Sequence, residues 1–96
     1  MGIVLMATLK ANEGQGDAIA EEFKKLIPKI LKDPGTVGYL VARVANDLNK
    51  FIVIEQYENR EALQFHGQTE HFKAFNAATR GMFAGRAEIQ VLNKVE

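Results

Sequence analysis

The chain opens with eight residues, Ile3–Lys10, that are apolar on both faces for most of their length, the pattern of a strand inside a sheet. Asn12-Glu13-Gly14-Gln15-Gly16-Asp17 is turn chemistry, with Asp17 placed to cap or charge the start of a helix. Ile19, Phe23, Leu26, Ile27, Ile30 and Leu31 then recur at spacings of three, four and seven, with Glu21, Glu22, Lys24, Lys25, Lys29 and Lys32 on the opposite side. That periodicity predicts an amphipathic helix with one face on a sheet. Pro28 falls inside the pattern and predicts a kink, because its ring removes a backbone donor and clashes one turn back. Asp33-Pro34-Gly35 ends the helix.

Residues 37–45 and 50–57 read as two strands joined at Asn46-Asp47-Leu48-Asn49, a hairpin. In the second strand Phe51, Val53, Glu55 and Tyr57 share one face, and Ile52, Ile54 and Gln56 the other. Asn59 suits the N-cap of a short helix over Arg60–Gly67, and Thr69 that of a longer one over 70–83, with Phe72, Phe75, Thr79 and Met82 as its inner stripe. Ala87, Ile89, Val91 and Val95 close the chain as a last strand. The order strand, helix, strand, strand, helix pair, strand is the βαββαβ signature of a ferredoxin-like α+β fold, read as a single domain over residues 1–96. Its helices cover one face of an antiparallel sheet. The other face stays apolar, and such a patch predicts a homodimer closed sheet to sheet.

Composition narrows the classes of function. Twelve basic residues balance twelve acidic ones and alternate along the chain, so the electrostatic footprint of a nucleic-acid partner is missing. With no cysteine there is no disulfide framework, thiol nucleophile or thiolate metal site. No run approaches the length of a membrane span, and the short apolar opening runs straight into Lys10, Glu13 and Asp17, which does not suit a signal peptide. A cytoplasmic protein is expected.

The proton-handling chemistry gathers between Phe51 and Phe75, where the two histidines of the chain, His66 and His71, follow Glu55. Imidazoles titrate near neutral pH, so two of them beside a carboxylate suit acid-base work. The histidines lie five residues apart, about 140° around a continuous helix, so they are no HExxH-type metal pair. For each there is a plainer reading, as a structural hydrogen-bond partner or an exposed first-turn residue. Glu55 reads first as a paired structural carboxylate, with His66 or Arg43 as its partner. Phe72, Phe75, Met82 and Phe83 suit the core before a pocket.

The run Phe51-Ile52-Val53-Ile54-Glu55-Gln56-Tyr57, followed by Glu61-Ala62-Leu63, His66, Thr69, His71 and Phe72, resembles the signature of the antibiotic biosynthesis monooxygenase family, and its quinol monooxygenase-like members in particular. The resemblance implies a dimeric α+β barrel in which each subunit holds a pocket between sheet and helices. It further implies oxidation of a small aromatic or quinol-like substrate by dioxygen, with no metal, flavin or haem as cofactor. Glu55, His66 and His71 match the family's characteristic polar positions and become the implied catalytic groups. Phe72 and Phe75 match its apolar pocket positions, and Tyr39 and Arg43 join them as candidate substrate-binding residues. Haem-degrading relatives place a tryptophan where this chain has His66 and an axial histidine where it has Asn76, so haem degradation is not expected. The remaining alternatives are a small-metabolite isomerase, since an acid-base pair can also move a proton beside a carbonyl, and a non-catalytic ligand-binding module on the same scaffold.

Overall fold

The computed structural model describes residues 2–95. The chain runs β1 (Ile3–Lys10), α1 (Gly16–Ile30), β2 (Thr36–Val44), β3 (Asp47–Tyr57), α2 (Arg60–Gly67), α3 (Glu70–Ala78) and β4 (Glu88–Leu92). The four strands form one antiparallel sheet in the order β2-β3-β1-β4, with the long non-local strands β1 and β3 at its centre. This is the expected ferredoxin-like α+β topology.

Cross-strand register sorts the side chains into two faces. On the helix-covered face, one row sets Tyr39, Glu55, Leu5 and Val91 side by side, and the next sets Val41, Val53, Ala7 and Ile89. α1 lays Ile19, Phe23, Leu26 and Ile30 onto that face, all buried. The Phe23 ring meets Phe51 at 5.9 Å and Phe75 of α3 at 4.6 Å, so one ring ties β3, α1 and α3 together through two contacts. On the opposite face Leu40, Ile54 and Met6 form an apolar row across three strands, and Leu40 is 62% exposed.

Local chemistry explains the helix ends. Asn59 Oδ1 accepts from the Ala62 amide at 2.9 Å and Thr69 Oγ1 from the Phe72 amide at 3.2 Å, the two predicted caps. α1 instead starts at Gly16 behind Gln15, with no side-chain cap, and Asp17 sits in its first turn. It runs on through Pro28 to Ile30, where the Leu31 amide donates to Ile27 at 3.0 Å. Gly35 turns the chain at φ +81 and its carbonyl accepts from the Glu58 amide at 2.8 Å. A Cβ placed on Gly35 would lie 2.5 Å from the Ala62 Cβ, so α2 rests directly against this turn.

Three boundaries depart from the sequence pattern. The second helical segment ends at Ala78, five residues before the expected end at Phe83, because the Thr79 hydroxyl turns back onto the Phe75 carbonyl at 2.8 Å and Gly81 takes φ +80. Met82 and Phe83 therefore leave the helix and pair with the end of β1, where the Asn12 amide donates to Met82 and the Ala84 amide to Lys10. The hairpin turn is Ala45-Asn46, not residues 46–49, and the register jumps from Arg43 opposite Phe51 to Val44 opposite Asp47. Arg43 fills that irregularity, its Nε donating to the Leu48 carbonyl at 2.8 Å. β4 is shorter than the predicted strand and exposed along its length.

Candidate functional site

β3 delivers Glu55 to the helix-covered face between Tyr39 of β2 and Leu5 of β1. Two residues on, and so on the same face, Tyr57 is fully buried and its hydroxyl donates to Glu55 Oε1 at 2.6 Å, a short bond of the kind a carboxylate accepts from a phenol. α2 carries His66 in behind the pair. Its ring is 4% exposed, stacks at tilted angles on Phe72, Tyr57 and Tyr39, and brings Nε2 to 3.8 Å from Glu55 Oε1. His66 Nδ1 is buried without a hydrogen-bond partner among the described residues.

Burial sets the electrostatics. It pushes the Glu55 carboxyl above its ordinary value, and the Tyr57 hydrogen bond pulls it part of the way back. Burial likewise raises the Tyr39 and Tyr57 phenols, with the Glu55 charge adding to both, so neither ionises readily. The His66 imidazole is pushed down by burial; the negative charge of Asp33 opposes that shift and His71 reinforces it. A carboxyl held up and an imidazole held down sit side by side, which brings their proton affinities closer than in water.

Glu55, Tyr39, Phe72 and Phe75 line a cavity of about 280 Å³ between the sheet and the helices. Its lining is mostly apolar, and it opens toward β4, where Ile89 is 62% exposed. The remaining candidates lie elsewhere. His66 stands behind Glu55, Tyr39 and Phe72 and is not part of the lining. His71 faces a separate groove between α1 and α3, with Nε2 2.8 Å from Asp33 Oδ2. Arg43 lies at the other end of the sheet, bound to Asp17 at 2.9 Å and set 5.2 Å over the Phe51 ring, so it is not the partner of Glu55.

Sequence reading overlooked Tyr57 as the partner of Glu55, although their i, i+2 spacing on a strand puts both on one face. Asp33 was hidden in an Asp-Pro-Gly stop signal. Arg86 joins the cavity wall from the irregular segment before β4, a place that no local pattern announces. Among the described residues no group of three or more His, Cys, Asp or Glu gathers to hold a metal ion, and no helix is long and apolar enough to cross a membrane.

A four-stranded sheet with helices on one face and a carboxylate-floored apolar cavity beneath them defines the class. Residues 2–78 match the family model described as antibiotic biosynthesis monooxygenase, and the chain belongs to that family. It is 29% identical over 89 residues to the Escherichia coli protein named "Probable quinol monooxygenase YgiN", covering 82% of this chain and 86% of that protein. The crystal structure titled as a "putative antibiotic biosynthesis monooxygenase" from Caulobacter crescentus is 32% identical, with a TM-score of 0.90 over 99% of this chain and 91% of that one. A Nitrosomonas europaea structure, at 16% identity, matches in fold with a TM-score of 0.93, covering 98% of this chain and 90% of that chain.

Proposed function

We propose that this protein is a cofactor-independent monooxygenase that oxidises a small quinol-like aromatic with dioxygen, and that it works as a homodimer. The observation that carries the reading is a single partly buried carboxylate, Glu55, facing a mostly apolar cavity of a size that suits a fused two-ring phenol. Membership of the family and the name of the Escherichia coli relative support it.

Chemistry follows from placement. An electron-rich phenolate transfers an electron to dioxygen far more readily than the phenol does, so the protein's first task is to take the hydroxyl proton where water is scarce. Glu55 is the group that faces the substrate, and its raised proton affinity suits a base that must hold what it takes. The phenolate passes one electron to dioxygen, the radical pair joins as a carbon–oxygen bond, and the resulting peroxide takes the proton back. Loss of the ring hydrogen as a proton with cleavage of the O–O bond then leaves one oxygen on the ring as a carbonyl and releases the other as water. Phe72 and Phe75 form the helix-side wall against the ring and exclude solvent, and Tyr39 keeps its proton and donates a hydrogen bond.

The apolar row Leu40, Ile54 and Met6 is the surface on which two sheets would meet. Sedimentation should give a dimer, and Leu40→Arg should shift it to monomer. The test of the reaction is oxygen consumption with a menadiol-like naphthohydroquinone, corrected for autoxidation, in air and under nitrogen. Acceleration in air that Glu55→Gln abolishes is the expected result. Turnover of a hydroxyketone without oxygen uptake would instead establish the isomerase alternative.

A further inference from the structure

The two oxygens of Glu55 stand in different surroundings. Oε1 is the one turned inward: the Tyr57 hydroxyl donates to it at 2.6 Å, and His66 Nε2 lies 3.8 Å from it. Oε2 has no hydrogen bond among the described residues, yet it is not fully enclosed, since the buried side-chain atoms left without a partner there are Thr36 Oγ1 and His66 Nδ1. Glu55 keeps 13% of its side chain exposed and stands in the cavity wall, so Oε2 is the oxygen open to the cavity. Tyr57 is the opposite case. It is fully buried, its ring lies 5.5 Å from the His66 ring, and Thr36 stands opposite it on β2. Its hydroxyl reaches one acceptor among the described residues, Glu55 Oε1.

We propose that Tyr57 is the positioning residue of the site: it ties down Glu55 Oε1 and so leaves Oε2 as the oxygen that takes the substrate proton. The proposal rests on the oxygenase reading for its purpose. The last torsion of a free glutamate is broad and roughly two-fold, so an untethered carboxylate presents either oxygen. With Oε1 held by a charge-assisted bond from a buried donor, the carboxylate plane is fixed before the substrate arrives. The substrate O–H bond then breaks, an Oε2–H bond forms, and the electron pair stays on the substrate as phenolate. Oε1 is an acceptor before and after, so the Tyr57 bond survives the transfer and no other group has to move. Tyr57 does not compete for the proton, because burial and the Glu55 charge hold its phenol protonated. Its bond also favours the ionised carboxylate against the effect of burial, which keeps the base ready. The other ionisable groups that face Glu55 are Tyr39 from β2, held protonated, and His66 from α2, held neutral by burial. Lys10 and Arg86 stand farther along the cavity wall.

A Tyr57 that merely filled the core would leave the titration of Glu55 untouched when its hydroxyl is removed. Tyr57→Phe makes that removal and keeps the ring against His66. The experiment is an NMR titration of the Glu55 side-chain carboxyl in wild type and variant, which needs no substrate. The midpoint should rise by about one pH unit in Tyr57→Phe, the scale of a lost hydrogen bond to a charged group. An unchanged midpoint in the folded variant overturns the proposal. In the wild type, the Tyr57 hydroxyl proton should stay visible and slow to exchange on both sides of the Glu55 midpoint. Its loss on the acid side would put the proton on Oε1 and overturn the assignment, and this measurement decides even where Tyr57→Phe fails to fold. With a naphthohydroquinone, Tyr57→Phe should lower kcat about tenfold at unchanged KM and move the acid limb of the pH profile upward. A kcat equal to wild type on the alkaline plateau overturns the positioning role. If the wild type shows no oxygen uptake the oxygenase reading falls, and the two NMR measurements still judge the tether by themselves.

Discussion

The two ends of the helix-facing row on β3 handle polar groups in opposite ways. At the Phe51 end, Arg43 is the charged group, and two of its nitrogens are engaged, Nε on the Leu48 carbonyl and Nη1 on Asp17, with the guanidinium plane over the Phe51 ring. A Cβ on Gly16 would fall 2.5 Å from Arg43 Nη2, so the start of α1 is shaped around this arginine. At the Glu55 end, a carboxylate and an imidazole stand 3.8 Å apart, the buried ring nitrogen Nδ1 of His66 has no hydrogen-bond partner among the described residues, and burial shifts the proton affinity of both Glu55 and His66. Satisfied polar groups hold a fold in register, whereas desolvated and incompletely partnered ones keep energy in reserve for chemistry. The same strand therefore carries a fastening at one end and the carboxylate floor of the cavity at the other.

That contrast breaks or stands on a graded set of substitutions. Phe51→Ala removes a ring that meets Phe23 within the core, and chemical denaturation should show a loss of about 3–5 kcal/mol. Equal stability in that variant would sink the fastening account. Glu55→Gln should instead cost roughly 10²–10⁴ in kcat/KM for a quinol, the usual scale for an acid-base group. Its unfolding free energy at pH 8 should match or exceed wild type, because a neutral amide keeps an acceptor for Tyr57 without a buried charge.

The pH dependence of stability sharpens the contrast further, since the two titrating groups act with opposite sign. His66 is held below its ordinary 6.5, so between its folded midpoint and that value the unfolded chain binds more protons, and stability falls as the pH drops through this window. Glu55 is held above 4.5, so the folded chain keeps its proton longer, and stability falls as the pH rises from that value through the folded midpoint. Thermal melts across pH 4 to about 8 should show His66→Gln flattening the first slope and Glu55→Gln the second. Arg43→Met comes next, losing about 1 kcal/mol because water takes over the exposed Leu48 carbonyl, while leaving KM for a quinol unchanged. Asp17→Ala should fall within about 1 kcal/mol of wild type, because its carboxylate is 95% exposed.

Much of this architecture is legible in the chain because periodicity and capping are local. The α1 stripe, the caps at Asn59 and Thr69 and the two-faced pattern of β3 each follow from residues within a turn or a strand of one another. Those elements in that order leave few topologies, and the observed sheet is the expected one. The site was legible in its members more than in its wiring. Glu55 and His66 do meet, because strand alternation and the position on α2 both point inward. Arg43 was a candidate for the same carboxylate, but it stands four residues along β2 from the Glu55 neighbour Tyr39, where the bulge and Asp17 hold it. The Asp33–His71 contact spans 38 residues, and only the packing of α3 on α1 creates it. Likewise, the end of α3 was misjudged because Met82 and Phe83 continue its apolar rhythm while Gly81 redirects the backbone.

The turn at Gly35 acts as a gauge block for the distance between His66 and Glu55. Its bare Cα is the surface against which Ala62 seats, and Ala62 lies one helical turn before His66 on the same rigid segment. Thickening that shim by a single methyl group would lift α2 from the sheet and widen the gap between imidazole and carboxylate. An alanine at residue 35 would thus loosen the Glu55–His66 pair without altering any side chain that lines the cavity.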